Sequence, residues 1–241
     1  ADGGSGLVLM PTGGGKSLCY QVPALCRDGV GVVVSPLIAL MEDQVAALRQ
    51  QGVAAAALHS DLPEGEARAI FRDLHEGTLK LLYVSPERLV LEGMLNRLEQ
   101  LPVALFAVDE AHCVSQWGHD FRPDYLRIGD LRRSLGVPLA AFTATADEET
   151  RTEIVNRLFD GEAPATFLRG FDRPNIHLAF AVKDSPRDQI LRFAAARKGQ
   201  SGIVYCGTRA KTETLAQAIR EAGHPAVAYH AGMDAEDRRR V

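Results

Sequence analysis

Two groups of residues have the types and spacing to do chemistry. The first is Met10-Pro-Thr-Gly-Gly-Gly-Lys-Ser17, three consecutive glycines followed by a cation and a hydroxyl. Without a Cβ in the way, backbone N–H groups can converge on phosphate oxygens. A helix starting at Lys16 would add the positive end of its dipole. Thr12, Gly13, Gly14 and Gly15 would then wrap a triphosphate. Lys16 would reach its β- and γ-phosphates, and the Ser17 hydroxyl would ligate Mg2+. The first glycine of the usual pattern is replaced here by Met10. The second group is Asp109-Glu-Ala-His112, which closes an apolar run. Asp109 would hold the Mg2+ through water, and Glu110 would polarise a water toward the γ-phosphate. An Asp-Glu pair alone also fits a solvated acidic turn. With a phosphate loop in the same chain, hydrolysis of a nucleoside triphosphate such as ATP is the stronger reading, and Lys16, Asp109, Glu110 and His112 are its candidate catalytic residues.

The elements that must position these groups alternate along the chain. Short runs rich in Val, Leu and Ala predict strands at Leu7–Met10, Gly31–Ser35, Ala55–His59, Lys80–Val84, Ala104–Val108, Leu139–Thr143 and Thr166–Arg169. Amphipathic stretches between them predict helices at Leu37–Gln51, Glu64–His75, Glu87–Leu98 and Glu148–Phe159. Strands apolar on both faces and separated by helices predict an α/β fold, with a parallel sheet covered on two sides. In such sheets ligands bind beyond the carboxyl ends of the strands. Pro11–Ser17, Ser35-Pro36, Ser85-Pro86, Asp109–His112 and Thr143–Ala146 each follow a predicted strand. The lysine and the acid pair are expected on adjacent strand tips.

The rhythm breaks near Gly170-Phe-Asp-Arg-Pro-Asn175, where two strands follow one another without a helix. The expected domains are therefore 1–170 and 171–241. The second series has strands at Ile176–Val182, Gly202–Cys206 and Ala226–Tyr229, and helices at Pro186–Lys198 and Arg209–Ala222. Three strands make about half of a nucleotide-binding domain. Together with a first strand that begins almost at residue 1, this reads as a chain truncated at both ends.

Composition narrows the class. The 241 residues are 46% hydrophobic and 24% charged, as in globular α/β proteins. No apolar stretch reaches the roughly 18 residues of a membrane span, and no secretory signal is present, so a cytoplasmic protein without membrane partners is expected. The net charge of −4 argues against a general basic sheath and leaves room for a local groove. Arg outnumbers Lys by 22 to 5, which favours forked phosphate contacts and, with the high Ala content, points to a GC-rich bacterial source. The four cysteines at 19, 26, 113 and 206 form no CxxC pair, so no zinc is expected and reduced thiols are.

Seven segments resemble the RecQ family of DNA helicases, in the family's order and over nearly the whole chain. The most specific is Ala107-Val-Asp-Glu-Ala-His-Cys-Val-Ser-Gln-Trp-Gly-His-Asp-Phe-Arg-Pro-Asp-Tyr125. The others are Met10–Gln21, Val34–Gln44, Tyr83–Arg88, Ala141–Ala146, Phe171–Ile176 and Val204–Arg209. Met10 in place of Gly also matches helicases of the second superfamily. The resemblance implies two RecA-like domains with ATP and Mg2+ between them, nucleoid association, and movement 3′ to 5′ along single-stranded DNA with unwinding of forked duplex in repair and recombination. It implies that Ser115–Arg122 couples DNA to hydrolysis. Within that loop Trp117 and Phe121 can stack on bases without reading sequence, and Ser115, Gln116, His119 and Arg122 are polar neighbours. It further implies that Ser35, Pro36, Ser85, Pro86 and Arg88 grip the DNA backbone and that Thr143 and Thr145 link ATP state to domain movement. Thr208 and Arg209 would hold DNA from the second domain, although a helix cap followed by a solvated Arg explains them equally. His112 would link the ATP site to that domain. His59 and His230 read as packing or rim residues. The adenine-recognising Gln and the arginine finger of the family are not among these residues, and Gln21 does not match that Gln. A monomer is expected, and the 241 residues alone are expected to turn over weakly or not at all. The alternatives are a nucleotide- or DNA-binding module without turnover, or an RNA helicase sharing the same core.

Overall fold

In the computed structural model the described residues are 4–91, 93–115, 121–170, 175–234, 237 and 240. The chain divides into two compact units, Ala1–Arg173 and Pro174–Val241.

The first unit is built on seven strands: β1 (Gly6–Leu9), β2 (Val30–Val34), β3 (Ala55–Leu58), β4 (Leu81–Val84), β5 (Val103–Val108), β6 (Leu139–Thr143) and β7 (Ala165–Leu168). They lie in the order β3-β4-β2-β5-β6-β1-β7, and every neighbouring pair is parallel. The helices are α1 (Lys16–Leu25), α2 (Ile38–Gln50), α3 (Glu64–His75), α4 (Pro86–Leu89), α5 (Met94–Glu99), α6 (Ile128–Leu135) and α7 (Glu148–Leu158). Tight 3-10 turns occupy Ala111–Val114 and Pro123–Arg127.

The strand sequences explain the layering. All five residues of β2, Val-Gly-Val-Val-Val, are buried. Val30, Val32 and Val34 join Phe106, Val108 and residues of α3, α5, α6 and α7 in one core. Val33 joins Tyr83, Ala107 and Phe142 in the other, against Tyr20 and Ala24 of α1 and Met41 and Val45 of α2. Period-two alternation thus feeds two helix layers from one strand. Caps and charges set the helix limits. The Asp147 carboxylate accepts from Thr150 N–H at the start of α7, and α3 carries Glu64 and Glu66 in its first turn and Arg72 and His75 in its last. The single helix expected over Glu87–Leu98 is two short ones, because Gly93 is left-handed (φ 85) at the start of α5. No helix among the described residues is long and apolar enough to cross a membrane.

The second unit contains α8 (Pro186–Ala195) and α9 (Arg209–Glu221). The segments Ile176–Val182, Gly202–Cys206 and Ala226–Tyr229, expected as strands, are not strands in the structure. A strand exists by its hydrogen-bonded neighbours, and these segments pair with none among the described residues. Their apolar side chains stay in solvent, with Phe180 95% and Tyr205 92% exposed.

Candidate functional site

Because every strand runs the same way, their carboxyl ends share one rim, and the expected segments open there. At the tip of β1, Met10 N–H donates to Thr143 C=O (3.1 Å), which ties the loop to β6. Gly14 N–H donates to Pro11 C=O (2.9 Å) and closes a tight turn. Gly13 and Gly15 are left-handed (φ 81 and 85), conformations glycine adopts without strain. A Cβ on Gly14 would sit 2.9 Å from the Pro11 carbonyl oxygen. Gly15 is the N-cap of α1, so the positive end of that helix opens at Lys16. Lys16 Nζ folds back to donate to Met10 C=O (3.2 Å).

At the tip of β5, Asp109 is held by its backbone. Its N–H donates to Val34 C=O (2.8 Å), and its own C=O accepts from the Tyr125 phenol (3.1 Å). Its carboxylate accepts from Glu110 N–H (3.0 Å) and is 7% exposed. Burial pushes its pKa up to about 6, with the charge of Glu110 adding to the rise. The Glu110 N–H and the charges of Lys16 and His112 pull the other way. Lys16 and Asp109 therefore act on each other across the rim. They are not on adjacent strand tips, however. β6 lies between β1 and β5. Sequence spacing could not reveal this, because strand order depends on where each crossover lands.

The intervening tip supplies Thr143, whose side chain is fully buried. Its hydroxyl donates to Thr145 C=O (2.9 Å) and accepts from Thr145 N–H (3.3 Å). His112 Nδ1 lies 3.0 Å from the same oxygen and 3.3 Å from Glu110 Oε2. With the hydroxyl hydrogen committed to Thr145, Nδ1 must carry the proton. Glu110, His112, Thr143 and Thr145 thus form one hydrogen-bonded run. Glu110 itself is left-handed (φ 48, ψ 46), a strain on the order of 1 kcal/mol for a residue with a Cβ.

The remaining candidates are spread along the rim and into the second unit. Ser35 and Pro36 are buried after β2, and Ser35 Oγ has no hydrogen-bond partner. Ser85 caps α4, accepting from Arg88 N–H (3.3 Å), with Pro86 in the first turn. Ser115 is buried with an unpartnered Oγ. Phe121 and Arg122 are half-buried, and Arg122 reaches Glu87 (3.4 Å), next to the Ser85 cap. Gln116, Trp117 and His119 lie outside the described residues. In the second unit Thr208 caps α9 through Lys211 N–H, and the Arg209 side chain packs over Gly232. His59 sits 3.5 Å from Glu42, and His230 bonds Glu213 at 3.0 Å. The sequence reading gave Tyr125 no role. An aromatic hydroxyl shortly after an acid pair was the available signal.

These residues suit a triphosphate with Mg2+. The loop is too tight for a side chain at Gly14, and burial raises the Asp109 pKa despite the charges of Lys16 and His112, so a cation beside that carboxylate would be favoured. Among the described residues no three His, Cys, Asp or Glu side chains converge on one point.

Sheet and rim define a RecA-like α/β domain of the helicase type. A family model for DEAD/DEAH box helicases matches residues 2–154, and the chain belongs to that family. Along its length it is similar to RecQ helicases. It is 45% identical over 240 residues to the ATP-dependent DNA helicase RecQ of Pasteurella multocida (strain Pm70), covering 99% of this chain and 38% of the relative. To the RecQ of Haemophilus influenzae (strain ATCC 51907 / DSM 11121 / KW20 / Rd) it is 46% identical over 241 residues, covering 100% and 39%. The chain thus spans about two fifths of these relatives. The crystal structure of the DUF1998 helicase MrfA bound to DNA and AMPPNP superposes with a TM-score of 0.74 at 17% identity, over 99% of this chain and 37% of that one, a likeness of fold.

Proposed function

We propose that this chain is the motor core of an ATP-dependent DNA helicase that moves 3′ to 5′ on single-stranded DNA and opens forked duplex. The observation that carries the reading is the run of groups along one rim: glycine turn and Lys16 after β1, Asp109 and Glu110 after β5, and Thr143 between them. The names of the RecQ relatives and the DNA-bound MrfA fold support it. Residues 1–170 form the first RecA-like domain, and 171–241 begin a second. The exposed apolar segments of the second unit, beside relatives of more than twice this length, support that division. The 241 residues alone turn over weakly, and the whole protein works as a monomer in the nucleoid.

The chain's groups have distinct tasks. The amides of Gly13–Gly15 and the start of α1 bind phosphate oxygens, and Lys16 neutralises their charge. Ser17 and Asp109 would hold Mg2+, which would supply charge neutralisation on the phosphates. Glu110 orients the attacking water and accepts its proton. His112, bridging Glu110 to Thr143, carries the state of the site to the Thr143–Thr145 turn. Ser35, Pro36, Ser85, Pro86, Arg88 and the Ser115–Arg122 loop take the strand. In the full-length protein, Lys16→Ala should cut ATP turnover at least about a hundredfold. Full turnover by that variant defeats the site, and equal wild-type turnover with and without single-stranded DNA defeats the coupling. Competition between DNA and RNA strands separates the helicase classes.

A further inference from the structure

One buried amide ties together three of the elements that open on the rim, and it belongs to none of the groups assigned above. Gln21 lies on α1, one turn beyond Ser17, and is 7% exposed. Its Nε2 donates to the Tyr83 phenol (2.8 Å) and to Gln44 Oε1 (2.8 Å), so both amide hydrogens are spent. Tyr83 is on β4, two residues before Ser85, and Gln44 is on α2, the helix that follows Ser35-Pro36. A single side chain thus pins the helix of the phosphate loop to the elements that carry the two Ser-Pro turns.

The surroundings make this an unusual choice for a core position. Tyr20, the neighbour of Gln21, packs edge-on against Tyr83 (ring centroids 6.3 Å apart) and Phe142 (5.2 Å). A leucine at 21 would fill such a space without a polar group to satisfy. A buried polar link has value where it selects one arrangement of elements over others. The link also lies in the field of Asp109. Burial drives the Tyr20 and Tyr83 phenols up, and the charge of Asp109 pushes both the same way.

We propose that Gln21 is a positioning residue that transmits occupancy of the triphosphate loop, through Tyr83 to the Ser85 turn and through Gln44 to the helix behind Ser35, so that nucleotide binding changes the grip on DNA. This rests on the helicase reading above. A shift of α1 on nucleotide binding moves Gln21, and the two hydrogen bonds oblige β4 and α2 to follow.

The test uses the full-length protein, with Gln21→Leu, Gln44→Leu and Tyr83→Phe measured beside Lys16→Ala. Tyr83→Phe removes one oxygen and keeps the ring, so it guards against a folding failure at position 21. DNA-free ATP turnover should stay within about threefold of wild type in the three link variants. The change in single-stranded DNA affinity caused by a non-hydrolysable ATP analogue, and the stimulation of turnover by DNA, should each fall about tenfold, a typical coupling between sites. DNA affinity without nucleotide should not move. Unchanged stimulation and an unchanged nucleotide effect in folded Gln21→Leu and Tyr83→Phe would overturn the proposal while leaving the ATP site intact. Loss of DNA-free turnover in Tyr83→Phe would overturn it too, by showing a direct effect on hydrolysis. Full turnover by Lys16→Ala would instead defeat the underlying reading.

Discussion

β2 and the segment Gly202–Cys206 are both short apolar runs with a single glycine, and they have opposite fates. Val30–Val34 lies between β4 and β5 with helices on both sides and is buried at every position. Gly-Ile-Val-Tyr-Cys has an equal claim to be a strand by its residues, yet it pairs with nothing and leaves Ile203 and Tyr205 in water. Strand propensity measures fit to a pleated, half-buried surface, and among the described residues that surface exists in the first unit only. Side chains packed in the sheet therefore carry stability, whereas exposed apolar ones in the second unit carry almost none.

The strongest way to break this contrast is truncation in both places. Phe106→Ala should cost about 3–5 kcal/mol, while Ile203→Ala should stay within about 0.5 kcal/mol. Urea unfolding followed by circular dichroism measures both, and similar losses would erase the distinction. Next in size is Asp109. Its pKa is raised from 3.8 to about 6, so its favourable contribution is full below pH 3.8 and is lost as pH rises through about 6. Two units correspond to roughly 3 kcal/mol. Without Mg2+, Asp109→Asn should be more stable than wild type at pH 8 by up to that amount, with the gap closing by pH 4. A pH-independent gap would refute the burial argument. Tyr125→Phe removes the donor to the Asp109 carbonyl and should cost about 1 kcal/mol. The smallest effect belongs to Thr208→Ala. α9 buries only Ala216 and Ala218, so loss of its cap should speed hydrogen exchange at Lys211 and Thr212 and leave the unfolding midpoint in place.

Much of the first unit could be read from the chain. All seven of its strands lie within a residue of where their apolar runs put them, since a short apolar run bounded by turn residues is a local signal. α3 runs over Glu64–His75 as read, because its end charges and apolar spacing agree. What escaped was set at a distance. Nothing near Lys16 or Asp109 says that β6 will come between them. The Gln21–Tyr83 bond joins residues 62 positions apart, and a glutamine within a helix gives no hint of it. Glu87–Leu98 reads as one amphipathic stretch, yet the left-handed backbone of Gly93 starts a new helix. In the second unit the local signal was present and the neighbours were not.

β7 ends the sheet on one side, and all four of its residues are exposed. With Phe167 and Leu168 uncovered, and no strand among the described residues paired to its outer margin, β7 offers a row of backbone donors and acceptors above a greasy shelf. Concentrated solutions of these 241 residues should therefore self-associate through that flank. A lysine in place of Phe167 would be the simplest way to keep the material dispersed for crystals or spectroscopy.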